Sequence, residues 1–454
     1  MADRNPKPNP QPPTPQPRAA AGRARVVVER LRAQGHVALF AGGSVRDLLL
    51  GVEPLDFDVA TDASADEVQR LFERTVPVGA QFGVVLVVID GQPIEVATFR
   101  SDAPYLDGRH PTAVRPATPR EDAQRRDFTI NGMFLDPDGG EVIDYVGGRA
   151  DLEAKIIRAI GDAEERFAED HLRMLRAVRL AARLGYTIEP ETFVAIRHHA
   201  AQIQGISHER VGDEVMRILT EGAARRGFEL LDQTGLLEQI LPEISAMKGV
   251  EQSPDFHPEG DVFRHTMLLL EQLAQPTESL ALGALLHDVA KPLCARRTGD
   301  RITFYGHAEQ GEAMAIEICQ RLRRSREVWE RTAYLVRNHL RLVNAPQMRR
   351  STLRRFLAED GIDELLALAR MDAMASHQDL TYYEFCRARR AELETEGLKP
   401  EPLVRGRDLL ALGYPQGPLY GEIILDAETR QLEGELQTRE QALEWVRNTY
   451  PIPK

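Results

Sequence analysis

The stretch "AGGSVRDLLLGVEPLDFDVAT", residues 41–61, opens with a glycine turn between an apolar strand and a predicted helix. Gly42 and Gly43 let the backbone approach a ligand closely. The helix that follows presents free N–H groups at its start, which suit a phosphate. Arg46 on its first turn adds a guanidinium that could reach the same phosphate. The turn therefore predicts a phosphate-binding loop, although an ordinary strand-to-helix turn would have the same pattern.

The same stretch ends in a short strand with two carboxylates, Asp56 and Asp58. Side chains two apart in a strand share a face, so the pair suits a hard cation such as Mg²⁺; two separate solvated aspartates are the alternative. A third carboxylate, Glu95, lies in "QPIEVATFR", where alternation groups it with Ala97 and Phe99 on a face that we expect to be buried. A buried glutamate is costly unless it is paired or metal-bound. If the three carboxylates share a face, they are candidate catalytic residues for two-metal phosphoryl transfer.

The segments around these residues predict a small sheet. Apolar runs, with Asp90-Gly91 as a hairpin signal, continue to about residue 160, and helical periodicity dominates afterwards. The sequence thus predicts an α+β fold, in which an N-terminal mixed or antiparallel β-sheet with helices is followed by all-α regions. The proline-rich start cannot bury a core. The predicted segments are a disordered tail (1–22), a catalytic head (23–160), a helical neck (161–250), a second helical domain (251–390) and a helical tail (391–454).

Composition and charge limit the class of protein. No run approaches the roughly 18 apolar residues of a membrane span. Cys294, Cys319 and Cys386 form no disulfide framework, which predicts a reducing, cytoplasmic location. A net charge of −13 counts mildly against nucleic-acid binding. Residues 321–355 nevertheless hold eleven arginines, which form either a solvated helical face or an RNA-binding surface.

Several motifs occur in an order that resembles one family. The opening stretch is similar to the signature of the nucleotidyltransferase superfamily, in the branch of bacterial CCA-adding enzymes (tRNA nucleotidyltransferases) and poly(A) polymerases. The resemblance covers about residues 23–250 and implies a palm-like nucleotidyltransferase head with Mg²⁺ at Asp56 and Asp58. The other matching motifs are "YLDGRHP" (105–111), "RRDFTINGMFLDP" (125–137), "IDYVGGRADLEAKIIRAIGD" (143–162), "EDHLRMLRAVRLAARLG" (169–185) and "LLDQTGLLEQILPEI" (230–244).

The resemblance also implies nucleotide-binding residues. In "RRDFTINGMFLDP" they are Arg126, Asp127 and Asn131. In "EDHLRMLRAVRLAARLG", four charged side chains recur every three or four residues, which on the residues alone fits an amphipathic helix with an Asp–Arg pair. The family likeness implies instead that an aspartate and an arginine read the Watson–Crick edge of the incoming base, while two further arginines help bind its triphosphate. These residues are Asp170 and Arg173 for the base, and Arg176 and Arg179 for the triphosphate.

The second half of the chain contains histidines and aspartates in apparently helical surroundings. A lone helical histidine is ordinarily structural, but an adjacent His-Asp pair with further histidines suits divalent metals. The arrangement resembles an HD-domain phosphohydrolase, in which such residues bind a divalent metal for phosphoester hydrolysis. The candidate ligands are His265, His287, Asp288, His307, His339 and Asp372.

Taken as a whole, the resemblance implies template-independent addition of CCA to tRNA 3′ ends from CTP and ATP, with release of pyrophosphate. The implied partners are tRNA, CTP and ATP; no membrane or protein partner is indicated. A poly(A) polymerase and a partial A- or CC-adding enzyme are alternatives. The end "WVRNTYPIPK" lacks a basic extension typical of the former, and an intact "YLDGRHP" favours full CCA or A addition. An HD phosphohydrolase with an RNA-binding head, or a non-catalytic RNA scaffold, would leave Asp56, Asp58 and the arginine stripe unexplained.

Overall fold

The fold was analysed in a computed structural model of the chain. The described residues are 17–79, 82–103, 113–253, 257–299, 301–397 and 400–452. They form two compact units: residues up to 218 with 229–240 make the first, and residues 219–228 with those from 241 onward make the second. The predicted neck is therefore divided between the two units. Among the described residues, no helix combines the length and apolar character needed to cross a membrane.

The first unit is built on a seven-stranded sheet, and the predicted α+β fold is confirmed. The strands of this unit are β1 (Ala38–Ala41), β2 (Asp58–Thr61), β3 (Thr75–Gly79), β4 (Val84–Ile89), β5 (Gln92–Thr98), β6 (Arg100–Asp102), β7 (Val114–Pro116), β8 (Met133–Leu135), β9 (Val142–Asp144), β10 (Ile156–Ile157) and β11 (Thr187–Ile188). The sheet order is β3-β4-β5-β2-β1-β8-β9, with only the β2–β5 pair parallel. The predicted Asp90-Gly91 hairpin joins β4 to β5, and both turn residues have positive φ as a type I′ turn requires.

Helices surround this sheet and continue the first unit. They are α1 (Pro17–Ala33), α2 (Gly43–Leu49), α3 (Ala65–Leu71), α4 (Pro119–Gln124), α5 (Gly148–Ala154), α6 (Ala163–Glu169), α7 (Leu172–Leu184), α8 (Pro190–His199), α9 (His208–Thr220), α10 (Ala224–Gln233) and α11 (Leu236–Ile240), the unit boundaries falling within α9 and α10. Helix α1 begins inside the predicted disordered tail, so residues 17–22 are helical, contrary to that prediction. Its alanine-rich start favours helix once the apolar stripe of the following residues packs.

Local sequence signals explain where the helices near the site begin. Capping boxes at Ser64 and Thr118 satisfy the first N–H groups of α3 and α4. At α5, the Asp144 carboxylate accepts hydrogen bonds from four successive backbone N–H groups. Gly148 lies directly against Thr129, whose carbonyl oxygen would be 2.3 Å from an added Cβ. The segment that carries Asp127 and Asn131 is thereby held tightly against α5.

The second unit is almost entirely helical. Its helices are α12 (Pro242–Ser245), α13 (Val262–Leu270), α14 (Glu278–Leu286), α15 (Lys291–Cys294), α16 (His307–Arg321), α17 (Arg326–Asn338), α18 (Arg350–Leu357), α19 (Ile362–Ala375), α20 (Thr381–Glu396), α21 (Gly406–Ala411), α22 (Pro418–Glu433) and α23 (Arg439–Thr449), with a short hairpin of β12 (Arg296–Thr298) and β13 (Arg301–Thr303). Helix α14 is apolar around most of its circumference and is buried among α13, α17 and α19. A separate apolar core, centred on Tyr414, holds α21, α22 and α23 together.

Candidate active site and metal clusters

Three carboxylates lie close together near the start of strand β2, in the middle of the sheet. Asp58 is the first residue of β2, and Asp56 precedes it by two positions. The parallel register pairs Val59 with Val96, which brings Asp58 beside Glu95 on β5. Burial, then Glu95, then Asp56 raise the pKa of Asp58 to about 7. A cation bound among Asp56, Asp58 and Glu95 would relieve the repulsion between these carboxylates.

Glu95 belongs to this cluster, but it does not lie on the buried face as expected. The buried residues of β5 are Ile94, Val96 and Thr98, whereas Glu95 lies on the exposed face. The predicted alternation is correct and the predicted burial of its face is wrong. Local desolvation still raises the pKa of the Glu95 carboxyl, with a smaller contribution from Asp56.

The glycine turn lies directly against this cluster. Gly42 precedes α2 with φ of 73° and ψ of −138°. A Cβ at this position would be 3.3 Å from Nη1 of Arg126 and 3.5 Å from Oδ2 of Asp58. The turn therefore needs glycine both for its backbone conformation and for the close approach of two charged side chains.

We expect Gly42→Ala to lower activity at this site by roughly 10–100-fold, because a shift of about 1 Å at a positioned group has an effect of this size. Gly51→Ala is the matched control, since Gly51 has a similar φ of 71° but no atom within 4 Å of the added Cβ. Steady-state rates of both variants, normalised to folded protein, measure the difference. Equal rates for the two variants would show that crowding at Gly42 is irrelevant.

Arg46 is held by neighbouring side chains, and its predicted contact with a phosphate stays a prediction. Its side chain is buried, pairs with Asp47 at 2.7 Å and donates from Nη1 to Oδ1 of Asn131 at 2.7 Å. Its Nη2 would lie 3.4 Å from a Cβ on Gly43. Arg46 thus supports the glycine turn, and Asn131 is its partner in doing so.

Two consecutive arginines are held at the cluster by one buried aspartate. Asp122 accepts from Nη2 of Arg126 at 3.0 Å and pairs with Nη2 of Arg125 at 2.7 Å. Burial alone would raise the pKa of Asp122, but the two guanidinium groups outweigh it and lower the pKa. The guanidinium of Arg126 also stacks over the ring of Phe134, with its carbon 5.1 Å from the ring centre. Both cations are fixed before any ligand binds.

A cavity of about 290 Å³ opens between the glycine turn, these arginines and helix α7. Five guanidinium groups and three carboxylates line it. The lining residues are Gly42, Gly43, Asp58, Arg125, Arg126, Asp127, Asn131, Asp170, Leu172, Arg173, Arg176 and Arg210. A smaller cavity of about 200 Å³ shares Asp58, Arg125 and Arg126 and adds Glu95.

Asp127 connects the second motif to helix α7. Its buried carboxylate accepts from Nε and Nη2 of Arg176 at 2.8 and 2.5 Å, from Asn131 at 3.2 Å and from the backbone of Phe128 at 2.8 Å. Burial alone would raise the pKa of Asp127, but Arg176 and these hydrogen bonds outweigh it and lower the pKa to about 2. Asp127 therefore positions Arg176 in the cavity.

The remaining charged residues of the predicted stripe have separate partners. Asp170 pairs with Arg210 of α9 at 2.9 Å, and Arg173 pairs with Glu169 at 2.5 Å. Both predicted base-reading residues line the cavity. Arg179 is outside the cavity lining: its buried side chain pairs with Glu214 of α9 at 2.7 Å. This pair gives Arg179 a structural role, and its predicted contact with the triphosphate stays a prediction.

In the second unit, six histidine and aspartate side chains from different helices converge. They are His265 of α13, His287 and Asp288 after α14, His307 of α16, His339 after α17 and Asp372 of α19. The predicted ligand set is thus brought together without exception, and its members form two adjacent groups of three.

The first group consists of His265, His287 and Asp372. Nε2 of His265 lies 3.0 Å from Oδ1 of Asp372 and 3.3 Å from Nε2 of His287. Glu259, which the sequence analysis did not identify, lies 2.7 Å from Nδ1 of His265. A carboxylate on the far nitrogen of a metal-binding histidine fixes its tautomer and orientation.

The second group consists of Asp288, His307 and His339. Oδ1 of Asp288 is buried 3.4 Å from Nε2 of His307 and 3.8 Å from that of His339, and it accepts no hydrogen bond within the described part of the chain. Nδ1 of both histidines contacts a backbone carbonyl at 2.7 Å, so each Nε2 is left as an unprotonated lone pair in the neutral ring. Burial lowers the pKa of His339 to about 4, which keeps that ring neutral. Neutral imidazole and carboxylate are the donors that a divalent transition metal takes.

Three regions of the chain are similar to known protein families. Residues 38–158 match the model of the poly A polymerase head domain. The carboxylate cluster and the glycine turn lie within the region that is similar to this head domain. Residues 185–248 match a probable RNA and SrmB-binding site of polymerase A, and residues 261–376 match the HD domain.

Curated proteins similar to about half of the chain are CCA-adding enzymes. The chain is 45% identical to the one from Levilactobacillus brevis over 228 residues, which are 50% of this chain and 56% of the relative. It is 43% identical to the one from Bacillus subtilis over 219 residues, which are 48% of this chain and 55% of the relative. The chain thus spans about half the length of the curated relatives it matches.

Solved structures extend the likeness in fold beyond the head. A Bacillus stearothermophilus CCA-adding enzyme in complex with CTP is 27% identical, with a TM-score of 0.69 over 94% of this chain and 96% of that one. A Thermotoga maritima CCA-adding enzyme complexed with tRNA has a TM-score of 0.57 over 94% of each chain. At 20% identity, this second likeness shows a common fold alone.

Three residues of the first site were missed in the sequence analysis. Arg125 and Arg210 line the cavity, and Asp122 anchors Arg125 and Arg126. Arg125 could have been found as the neighbour of Arg126 in "RRDFTING". Arg210 had no local signal, because its partner is 40 residues away on another helix. The motif "YLDGRHP" lies outside the described residues.

The arginine-rich segment 321–355 is not a continuous basic face. Most of its eleven arginines pair with carboxylates, which cancels much of the positive charge. The pairs are Arg321–Glu243, Arg324–Glu278, Arg326–Glu330, Arg331–Asp360, Arg337–Glu309, Arg341–Glu359 and Arg355–Glu428. These contacts favour the solvated helical face over a surface devoted to RNA.

Proposed function

We propose that this chain adds CCA to tRNA 3′ ends from CTP and ATP and releases pyrophosphate. The observation that carries the proposal is the meeting of the carboxylate cluster Asp56, Asp58 and Glu95 with a cavity lined by five guanidinium groups. Carboxylates on one side and fixed cations on the other are what a nucleoside triphosphate with its magnesium ions requires. The curated CCA-adding relatives support the choice of reaction.

The chain's own residues would mainly position and neutralise charge. Arg125, Arg126 and Arg176, already fixed by Asp122 and Asp127, would bind the triphosphate. The 3′-hydroxyl oxygen of the tRNA forms a bond to the α-phosphorus, and the bond from that phosphorus to the pyrophosphate oxygen breaks. Mg²⁺ held by Asp56 and Asp58, with Glu95 as a third carboxylate, would supply further charge neutralisation.

Nucleotide choice would rest with the side chains at the start of α7. Asp170 and Arg173 line the cavity and offer an acceptor and a donor fork, the groups needed to read a base edge. The match of residues 185–248 to a probable RNA-binding site supports an RNA acceptor. A protein that uses tRNA, CTP and ATP would work in the cytoplasm, in keeping with its three free cysteines.

The decisive experiment incubates the purified chain with tRNA transcripts that end before CCA, after C and after CC. CTP and ATP are supplied separately and together, and the products are resolved at single-nucleotide length. The proposal expects two C additions with CTP and a terminal A only on the CC end. Long A tails would indicate a poly(A) polymerase, and a product that stops at CC or needs a CC end would indicate a partial enzyme. If no nucleotide is added while a control enzyme extends the same tRNA, the proposal is wrong. The alternative, an HD phosphohydrolase with an RNA-binding head, would then be favoured.

We propose metal-dependent phosphoester hydrolysis as a second activity, located in the HD domain. Its specific support is the buried Asp288 oxygen that lacks a hydrogen bond from the described residues and faces the Nε2 atoms of His307 and His339. With His265, His287 and Asp372 alongside, the residues fit two divalent ions. Such ions, when bound, would supply Lewis acidity toward a phosphoester.

Asp288→Asn should remove at least one tightly bound divalent ion per chain and lower hydrolysis of bis-p-nitrophenyl phosphate by roughly 10²-fold or more. Metal content is measured after chelation and reloading with Mn²⁺ or Ni²⁺. Asp360→Asn is the control, because the side chain of Asp360 is 96% exposed. Nucleotide addition should be unchanged in both variants. Unchanged metal content in Asp288→Asn would exclude the cluster as the metal site.

A further inference from the structure

Arg210 occupies an unusual position in the nucleotide cavity. It comes from α9, outside every motif that pointed to the site, and it is one of the residues that line the cavity together with Asp170 and Arg173. One nitrogen, Nη2, donates to Oδ2 of Asp170 at 2.9 Å. The backbone N–H of Leu172 donates to the other carboxylate oxygen, Oδ1 of Asp170, at 3.1 Å. Asp170 is therefore held at both oxygens.

The other terminal nitrogen of Arg210 is not satisfied. Nη1 is buried and forms no hydrogen bond within the described residues. A buried N–H group without an acceptor costs free energy, and more so when the group is charged. Because Arg210 is one of the residues that line the cavity, a bound nucleotide can supply the missing acceptor.

We propose that Arg210 is a nucleotide-specificity residue, which fixes Asp170 through Nη2 and donates from Nη1 to an acceptor atom of the incoming base. The inference rests on the proposed nucleotide addition. Cytosine presents an acceptor at N3 and adenine one at N1, whereas the corresponding positions of uracil and guanine carry N–H groups. A fixed guanidinium donor beside Asp170 would favour the first two bases and repel the other two.

The planar guanidinium of Arg210 allows a hydrogen-bonding role to be distinguished from a role in packing. A lysine at position 210 can retain an ion pair with Asp170, but its single ammonium cannot reproduce the planar fork that serves two acceptors at once. Removal of one hydrogen bond to a charged donor corresponds to roughly 10–100-fold in apparent affinity. The effect should fall on nucleotide KM and on base discrimination more than on kcat, because Arg210 contacts Asp170, the proposed base-reading residue.

The test compares Arg210→Met and Arg210→Lys with Arg217→Met in the full chain. Arg217 is an exposed residue of the same helix. Initial rates are measured with CTP, UTP, ATP and GTP on tRNA ends that accept C or A. Both Arg210 variants should raise KM for CTP and ATP by roughly 10–100-fold and narrow the CTP/UTP and ATP/GTP ratios, whereas Arg217→Met should match the wild type.

A double variant with Asp170→Asn distinguishes the two parts of the role. If Nη1 binds the base, Arg210→Met should weaken nucleotide binding further in the Asp170→Asn background. Identical values for Asp170→Asn with and without Arg210→Met would overturn the base contact. Wild-type discrimination in Arg210→Met would overturn the whole inference, provided the wild type extends tRNA; failure of the wild type would instead contradict the proposed function. Melting temperatures of all variants identify any loss through misfolding.

Discussion

Asp58→Asn is expected to lower nucleotide addition by roughly 10³-fold or more, equivalent to about 4 kcal/mol of transition-state stabilisation. The substitution keeps the shape of the side chain but removes the charge at the centre of the carboxylate cluster. Rates with tRNA, CTP and ATP at saturating Mg²⁺ measure the effect. Asp66→Asn, at an exposed position of α3, is the control and should be fully active. Near-normal activity of Asp58→Asn would contradict catalysis at this cluster.

The same substitution should stabilise the metal-free protein above neutral pH. The pKa of Asp58 is about 7 in the folded chain against 3.8 as the ordinary value, so the native state binds the proton more tightly. The corresponding stabilisation is complete below pH 3.8 and is lost as pH rises through about 7. Thermal unfolding in a chelator should therefore show Asp58→Asn above the wild type at pH 8, with a smaller difference at pH 5. A variant that is more stable but inactive cannot owe its inactivity to misfolding.

The second large effect is expected in stability. Asp127→Ala removes a carboxylate that Arg176, Asn131 and a backbone N–H all contact. Breaking a buried ion pair costs about 3–5 kcal/mol. We expect about 3 kcal/mol, the lower end of that range, because the side chain of Arg176 is 37% exposed. Urea unfolding at pH 7 measures this loss, and a raised nucleotide KM should accompany it because Arg176 loses its orientation.

The pH dependence of this pair has the opposite sign to that of Asp58. The pKa of Asp127 is lowered from 3.8 to about 2, so its stabilisation is present above pH 3.8 and is lost as pH falls through about 2. The gap between wild type and Asp127→Ala should thus narrow on acidification. Asp138→Asn is the control, since its pair with Arg32 is exposed and should be worth less than about 1 kcal/mol. A cost below that of Asp138→Asn would refute the anchoring role of Asp127.

The convergence of the six histidine and aspartate side chains was predictable because they follow a motif. Side chains two apart in a strand share a face, and this rule placed Asp56 beside Asp58 in the prediction, although only Asp58 lies within β2 in the structure. Glu95 shows the limit of that rule. Alternation groups residues by face, but only the neighbouring elements decide which face is covered, and in β5 they cover Ile94 and Val96.

Side-chain partners distant in sequence were beyond prediction. Arg46 contacts Asn131, 85 positions away, and this contact decides that the guanidinium supports the turn. Arg179 lies on the predicted arginine stripe of α7, yet its side chain pairs with Glu214 of α9 and is not among the residues that line the cavity. The arginine-rich segment likewise suggested a basic face, because its acidic partners are spread from Glu243 to Glu428. The helical period predicts which side chains share a face of a helix, but it does not predict their partners. Those partners come from elements distant in sequence.

Two ion pairs join the α7 region to α9. In one pair α9 supplies the cation, and in the other it supplies the anion. Asp170, just before α7, pairs with Arg210 of α9, and Arg179 of α7 pairs with Glu214 of α9. A single charge reversal at any of the four positions would create repulsion within one pair, and the other pair could not compensate for it. In an alignment of related sequences, position 179 should therefore vary jointly with position 214, whereas positions 170 and 210 should stay fixed because the proposed base contacts constrain them as well. Lineages that reverse the charge at position 179 should carry the reciprocal reversal at position 214.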